Sequence, residues 1–516
     1  MPANPTPTRL AASHFGGVFA YALAAVFAVL AGVSAASAQP VATPPPESRP
    51  VTVTLVHLND VYEILPVEGG KSGGLARVAT VIRQLKSAQP ALITTLGGDY
   101  LSPSALGTAR VDGQSLAGRQ MVDVLNAVGI DWATFGNHEF DVSEAAFRAH
   151  LSQVNFRLVS SNVTDAAGRP FPGVPTSAIA TLDAGGRSIR IGLVAVTIDA
   201  NPKDWVRYHD AIATANAEVG KLRGRVDAIV ALTHLALQQD DEFVNAVPGI
   251  DLVLGGHEHE NWLAYRGPRF TPIVKADANV RSLAIVTLTF GAPGTRPEIA
   301  VRLKPIDESV ASAPDVDALA RGWVERGFEA FRREGFAPET VVAVSTEPLD
   351  GRESTVRNRA GRLTDLIAAA LAREAGAADV ALFNGGSVRI DDVVPPGPVT
   401  EYDIIRVLPF GGKSVRATLD GALLARVLDV GENNQGLGGY LHAWGARKEG
   451  GAWRVRGAAI DPAARYVVAM PGFLLSGAET NLGFLTRAHP GVRDVQEMRD
   501  IRRSVIEELA RAFPVR

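Results

Sequence analysis

The chain has 516 residues, 46% of them hydrophobic and 21% charged, with a formal net charge of −4. That length exceeds one ordinary core and predicts two domains, while the charge balance excludes a nucleic-acid polymer as partner and the apolar content excludes wholesale disorder. Cysteine is absent, which excludes disulfides and a lipidated amino-terminal cysteine, so the fold must be held by packing alone.

At the amino end, Arg9 precedes the apolar run FGGVFAYALAAVFAVLAGV, and Ala36 and Ala38 supply the small-x-small pattern of a signal-peptidase site. Residues 1–38 therefore read as a secretory signal. The competing reading is an uncleaved anchor, because Phe15 to Val33 is nearly long enough to span a bilayer. Cleavage predicts a periplasmic or secreted protein with no stable membrane insertion. Residues 39–50, QPVATPPPESRP, suit an extended proline-rich linker.

From Val51 the pattern changes abruptly. VTVTLVHLND reads as a buried strand, Lys71 to Ala88 as a helix, ALITTLGGD as a strand, SLAGRQMVDVLNAVG as a helix and DWATFGNHEFD as a third strand. RLVSSNV, SIRIGLVAVT, VDAIVALTHL, IDLVLGGHEH, PIVKAD and SLAIVTLTF follow as strands, with a helix near Ala211 to Leu222. This alternation predicts an α/β domain over residues 51–305. Residues 306–340 form a linker whose helical-period part, about Asp315 to Arg333, is either a surface helix or a rigid connector. Residues 341–516 carry a second, α+β composition that ends in a charged helix from Val495 to Ala512.

Polar residues recur where the first-domain strands end: Asp60 after LVHLN, Asp99 after TTLGG, Asn137 and His138 after TFG, His234 in THL, and His257 and His259 after LVLGG. Ligands in open α/β sheets bind outside the carboxyl ends of the strands. A lone strand-end Asp is a turn or cap and a lone His a structural residue, but this repeated coincidence points to a metal site. Carboxylate, imidazole and amide ligands without thiolate suit two divalent metal ions, zinc, manganese, cobalt or iron, sharing one carboxylate. Two such ions activate a water for in-line attack at phosphorus.

DVY at Asp60, GGD at Asp99, GNHEFD, THL and GGHEH together resemble the calcineurin-like metallophosphoesterases. With the second domain, the succession resembles the bacterial and animal 5′-nucleotidases, including the periplasmic UDP-sugar hydrolases. That resemblance implies a four-layer α/β/β/α sandwich with a second α+β domain. It places Asp60 and His259 on one metal, Asn137, His234 and His257 on the other, and Asp99 between them. It also implies that His138, oriented by Asp141, assists the leaving oxygen. The chain departs from the family's Asp-x-His at Asp60-Val61-Tyr62. Tyr62 has three readings: a phenolate ligand that favours iron, a side chain turned away with water in its place, or a weakened first site. Glu63 is a possible substitute ligand.

In the second domain NGGSVR resembles the family's NGGGIR and LDGRESTVRNR aligns Arg357 with a family arginine, so that Arg357, Asn384 and Arg389 would bind phosphate. GGYLHAWG and GFLLSGAE resemble segments whose aromatics sandwich a base, which assigns Tyr440 and Phe473 to stacking and Glu479 to ribose. As a plain reading, the two aromatics are core residues. The implied activity is hydrolysis of nucleoside 5′-phosphates to nucleoside and phosphate by metal-activated water, with a nucleotide as substrate. The alternatives are a nucleotide-sugar pyrophosphatase, a cyclic-nucleotide phosphodiesterase or a catalytically weak nucleotide-binding protein.

Overall fold

A computed structural model describes residues 49–515. The predicted signal at 1–38 and most of the linker at 39–50 lie outside the described residues. No helix among the described residues is long and apolar enough to cross a membrane.

Two six-stranded sheets dominate the first half. One runs in the order Glu298–Pro305, Ser282–Phe290, Val51–Leu58, Leu92–Leu96, Trp132–Ala133, Arg157–Leu158. The other runs Trp262–Arg266, Thr271–Lys275, Leu252–Gly255, Ala228–His234, Arg187–Thr197, Ser177–Ala184. In the first sheet the strands from Val51–Leu58 to Arg157–Leu158 pair in parallel, and Ser282–Phe290 and Glu298–Pro305 add antiparallel on the other side; in the second the four central strands are parallel and both edge strands antiparallel. Burial on both faces explains the near-continuous apolar strands. Val53 and Leu55 face the second sheet, meeting a cluster that includes Ile191, Val230, Leu232, Leu252 and Leu254, whereas Val56 and Leu58 face the helices. Helix Leu75–Ala88 and helix Arg119–Val128 cover the outer face of the first sheet. Helices Ala211–Leu222 and Leu237–Ala246 cover the second through Val219, Leu222, Phe243 and Val244. The result is the expected four-layer α/β/β/α sandwich.

The first of these helices starts at Leu75 rather than Lys71, because Gly73 and Gly74 stand at φ 70° and 97°, outside helical space. The connecting segment forms helix Pro314–Arg333, with proline at its first position. It is no solvated surface helix: Val316, Ala320, Trp323 and Phe331 are buried. Phe328 packs edge-on against Tyr402 from the second half, with ring centroids 4.7 Å apart.

The second half carries a five-stranded sheet in the order Leu441–Trp444, Val380–Asn384, Arg465–Pro471, Lys413–Asp420, Val492–Asp500. Helices Arg362–Glu374 and Ile501–Ala512 pack on one face and helix Gly421–Asn433 on the other. The expected helix from Val495 is corrected by the structure. Residues Val492–Asp500 pair with Lys413–Asp420, and the helix starts at Ile501, where the Asp500 side chain accepts from Arg502 N.

Candidate metal centre and active site

The carboxyl ends of the parallel strands of both sheets converge, and the predicted metal-type side chains lie there, His234 as the last residue of its strand and the others on the loops that leave the strands. Asp60, Asp99, His257 and His259 all have positive φ, 52°, 56°, 82° and 58°. Non-glycine residues adopt that region at a cost and cluster at functional sites. The loops also approach too closely for side chains at two glycines. A Cβ on Gly136 would stand 2.1 Å from Asp99 Oδ1, and one on Gly256 would stand 2.9 Å from both Asp60 Oδ2 and His234 Nδ1.

Ligand atoms of Asp60, Asp99 and His259 lie within 4.8 Å of one another. His234 Nε2 is 3.2 Å from Asp99 Oδ2 and 3.9 Å from Asp60 Oδ1, and the His234 and His257 rings are 5.3 Å apart. Asp99 Oδ1 accepts from His138 N at 2.8 Å, and Asp60 Oδ2 accepts from His257 N at 2.9 Å, so backbone amides aim both carboxylates. Asn137 Oδ1 and His234 Nε2 are buried without a hydrogen-bond partner. Buried polar atoms left unpaired call for an explanation, and a cation between them supplies it.

Tyr62 is turned into this cluster, not away from it. It is 4% exposed, and its hydroxyl lies 3.2 Å from Asp60 Oδ1, 3.0 Å from Asp99 Oδ2 and 2.9 Å from His259 Nε2. Its one proton cannot serve both carboxylates. The cluster has more lone pairs than protons, which is the donor set that suits a divalent cation. Glu63 does not substitute for the missing histidine, since its carboxylate pairs with Arg406 at 3.0 Å.

Several residues hold the site from behind. Glu139, next to His138 in GNHEFD, accepts from Asp99 N at 2.9 Å, Tyr100 N at 2.7 Å, Leu101 N at 3.2 Å and Gly136 N. Burial, with the neighbouring Asp99 charge, raises its carboxyl to about 7. His57 joins three loop-bearing strands: Nδ1 lies 2.9 Å from Thr95 Oγ1, and Nε2 lies 3.0 Å from the Gly255 carbonyl of the opposite sheet. His138 Nδ1 lies 2.6 Å from Asp141 Oδ2, so Asp141 fixes the ring and leaves Nε2 free towards Arg389 Nη2 at 3.5 Å. Burial followed by the His234 charge holds His257 down at about 3, which keeps its ring neutral and able to ligate. Burial opposes charge on His234 as well, but Asp99 and Asp60 outweigh it and raise that ring to about 9. A bound dication would reverse this preference.

Both halves line one cavity of about 860 Å³ beside the cluster. From the first half come Asn137, His138, Asp141 and His257, and from the second Arg357, Asn384, Arg389, Phe473 and Glu479. The guanidinium Nε atoms of Arg357 and Arg389 are buried and unpartnered. Asn384 Nδ2 donates to Glu479 Oε2 at 2.6 Å, tying those two expected residues together. Tyr440 is not brought to this wall; its ring packs edge-on against His442, with centroids 5.2 Å apart. Phe410 lines it instead. Phe410 is 56% exposed and Phe473 49%, and both line the cavity. The sequence signal for Phe410 was an aromatic before Gly411-Gly412 in VLPFGG, which does not by itself separate a ligand-facing ring from a core one.

Paired sheets that project carboxylate, amide and imidazole groups from their strand ends onto one cluster define a metal-dependent phosphoester hydrolase. Residues 53–261 match the sequence model of calcineurin-like phosphoesterase, and residues 341–485 that of the 5′-nucleotidase C-terminal domain. The chain belongs to the 5′-nucleotidase family of metallophosphoesterases, which joins these two parts. It is 26% identical over 456 residues to 5′-nucleotidase of Bos taurus, covering 78% of this chain and 75% of that protein. It is 27% identical over 440 residues to the trifunctional nucleotide phosphoesterase protein YfkN of Bacillus subtilis, covering 77% of this chain but 28% of that longer one. The fold is similar to that of the 5′-nucleotidase precursor from Thermus thermophilus, with a TM-score of 0.72, 23% identity, and coverage of 90% of this chain and 97% of that one.

Proposed function

We propose that the chain is an exported 5′-nucleotidase that hydrolyses nucleoside 5′-phosphates at a centre of two divalent ions. The observation that carries this reading is the shared cavity, where His138, Asn137 and His257 face Arg357, Arg389, Asn384, Phe410 and Phe473. In this reading Asp60, Tyr62 and His259 would hold one ion and Asn137, His234 and His257 the other, with Asp99 available to both. When bound, the ions activate a water and neutralise phosphoryl oxygens. Arg357 and Arg389 neutralise the phosphate further and orient it. His138, fixed by Asp141, donates a proton from Nε2 to the departing ester oxygen. Phe410 and Phe473 flank the base, and Glu479 accepts from the ribose. The leader at 1–38 supports export to the periplasm or beyond. The matched segments support division into a metallophosphoesterase domain at 51–305, a connector at 306–340 and a substrate-binding domain at 341–516.

Two observations favour alternatives on the same site. The similarity to a trifunctional nucleotide phosphoesterase supports activity on more than one kind of nucleotide ester, with diesters and nucleotide sugars as the candidates. The phenol at Tyr62 supports a weakened first metal site and a nucleotide-binding role. The test is phosphate or product release from AMP, UDP-glucose, cyclic nucleotides and bis-p-nitrophenyl phosphate, each with manganese, zinc, cobalt and iron. AMP is expected to turn over fastest, and hydrolysis of diesters without AMP would overturn the proposal. Substantial wild-type turnover would remove the binding-protein reading, and Tyr62→His is expected to shift metal preference away from iron.

A further inference from the structure

The imidazole of His259 is held from both sides. On one side, Nε2 faces Asp60 Oδ1 at 3.4 Å and the Tyr62 hydroxyl at 2.9 Å. On the other, Nδ1 lies 2.8 Å from Asp391 Oδ2. Asp391 belongs to the segment that matches the 5′-nucleotidase C-terminal domain, two residues past Arg389. It is 6% exposed, its Oδ1 accepts from Glu353 N at 2.9 Å, and it stands at φ 38°, a strained conformation for a non-glycine residue. His234 provides the contrast: its Nδ1 is engaged by the Gly97 carbonyl at 2.7 Å, within the first half itself. A metal-ligating imidazole usually donates its second N–H to a carboxylate or carbonyl, which fixes the tautomer and raises ligand basicity. For His234 the sandwich supplies that acceptor, whereas for His259 the second half does.

We infer that Asp391 is a positioning residue through which the second half of the chain sets the tautomer and orientation of His259, and so the affinity of the ion that His259 holds. The inference rests on the reading of His259 as a metal ligand. The carboxylate takes the Nδ1 proton in a hydrogen bond, and the Nε2 lone pair is left for the cation. Linkage makes the effect reciprocal: the ion strengthens the contact between residues 259 and 391 by the factor by which that contact strengthens ion binding. The first metal site is then complete only while the substrate-binding half is docked on the sandwich. The second ion, held by Asn137, His234 and His257, does not depend on Asp391.

The test is manganese titration of the full chain by calorimetry, comparing wild type with Asp391→Gly, Asp391→Asn and His259→Ala. Glycine suits the positive φ at 391 and removes the carboxylate, while asparagine keeps the shape and removes the charge. In Asp391→Gly one manganese site is expected to weaken about 10- to 100-fold, with the other unchanged. Asp391→Asn is expected to fall between, and His259→Ala to lose the same site. A merely structural contact would lower the melting temperature without moving one site's affinity. If His259→Ala loses a site while both Asp391 variants bind manganese as wild type does, the inference is overturned and the proposed function stands. If His259→Ala binds two ions normally, the ligand assignment itself fails. Hydrogen exchange on wild type gives a check that needs no variant at 391: manganese is expected to slow exchange at the Glu353 amide, and an unchanged rate there would also overturn the inference.

Discussion

His57 should make the junction beneath the metal centre sensitive to acid, and the size of the effect follows from its surroundings. The ring is fully buried on the face between the two sheets, in register with Val53 and Leu55, and bridges Thr95 and the Gly255 carbonyl. Burial is the main influence and lowers its pKa from 6.5 to about 4, with Gly255, Asp60 and Thr95 opposing only in part. Below pH 6.5 the unfolded chain protonates this residue while the folded chain does not, so stability falls with pH. The contribution is fully present above 6.5 and is lost at about 1.4 kcal/mol per pH unit down to pH 4, about 3 kcal/mol in all. Replacement by glutamine removes the titration but leaves the Gly255 carbonyl poorly paired, costing about 1–3 kcal/mol at neutral pH. Urea unfolding of metal-stripped wild type and His57→Gln at about pH 7, 6 and 5 should therefore give stability curves that converge as pH falls. Parallel curves would refute the argument, because they would mean that His57 protonates equally in both states.

Four other substitutions separate the roles assigned around the site. Phe410→Ala should raise KM for AMP about 5- to 100-fold, corresponding to the loss of about 1–3 kcal/mol of stacking, while Tyr440→Ala leaves it unchanged. The opposite pattern in steady-state kinetics would restore Tyr440 to the base site. His138→Gln should lower kcat for AMP by about 10²- to 10⁴-fold but have a much smaller effect on p-nitrophenyl phosphate, whose leaving group needs no proton. Equal losses on both substrates would remove His138 from the leaving-group step. Glu139→Ala should leave four backbone N–H groups without their acceptor, at about 1–3 kcal/mol each if water does not enter, and reduce bound metal measured by elemental analysis. Full metal occupancy with an unchanged melting temperature would show that the Asp99 loop holds itself.

The sandwich was legible in the sequence because its strands are buried on both faces and read as apolar runs that break at ligand-type residues. VTVTLVHLND and VDAIVALTHL carry both signals at once: Val53, Leu55, Val230 and Leu232 fill the space between sheets, and Asp60 and His234 stand where those strands end. The terminal segment was less legible because VRDVQEMRD is charged on its exposed face. As an edge strand beside Lys413–Asp420 it has little apolar patterning to distinguish it from the helix that follows. Phe410 and Tyr440 could not be ranked from sequence, since whether an aromatic lines a cavity or fills a core depends on what packs over it. Asp391 and Glu139 were hidden for a different reason. Each acts on a residue remote in sequence, His259 across 132 positions and Asp99 across 40, and nothing in the local pattern of either marks the partner.

Tyr62 combines both situations. Its position beside Asp60 is readable from the first strand, but its effect depends on where the hydroxyl points. The hydroxyl lies against two carboxylate oxygens, of which its proton can serve one, and against His259 Nε2. An imidazole in its place would bring another lone pair, whereas the phenol brings a proton that must leave before its oxygen can ligate fully. Burial and the charges of Asp99 and Asp60 hold that proton on the oxygen. A cation seated among these carboxylates would reverse the preference, so metal bound at the proposed site beside Tyr62 and the ionisation of Tyr62 should rise together.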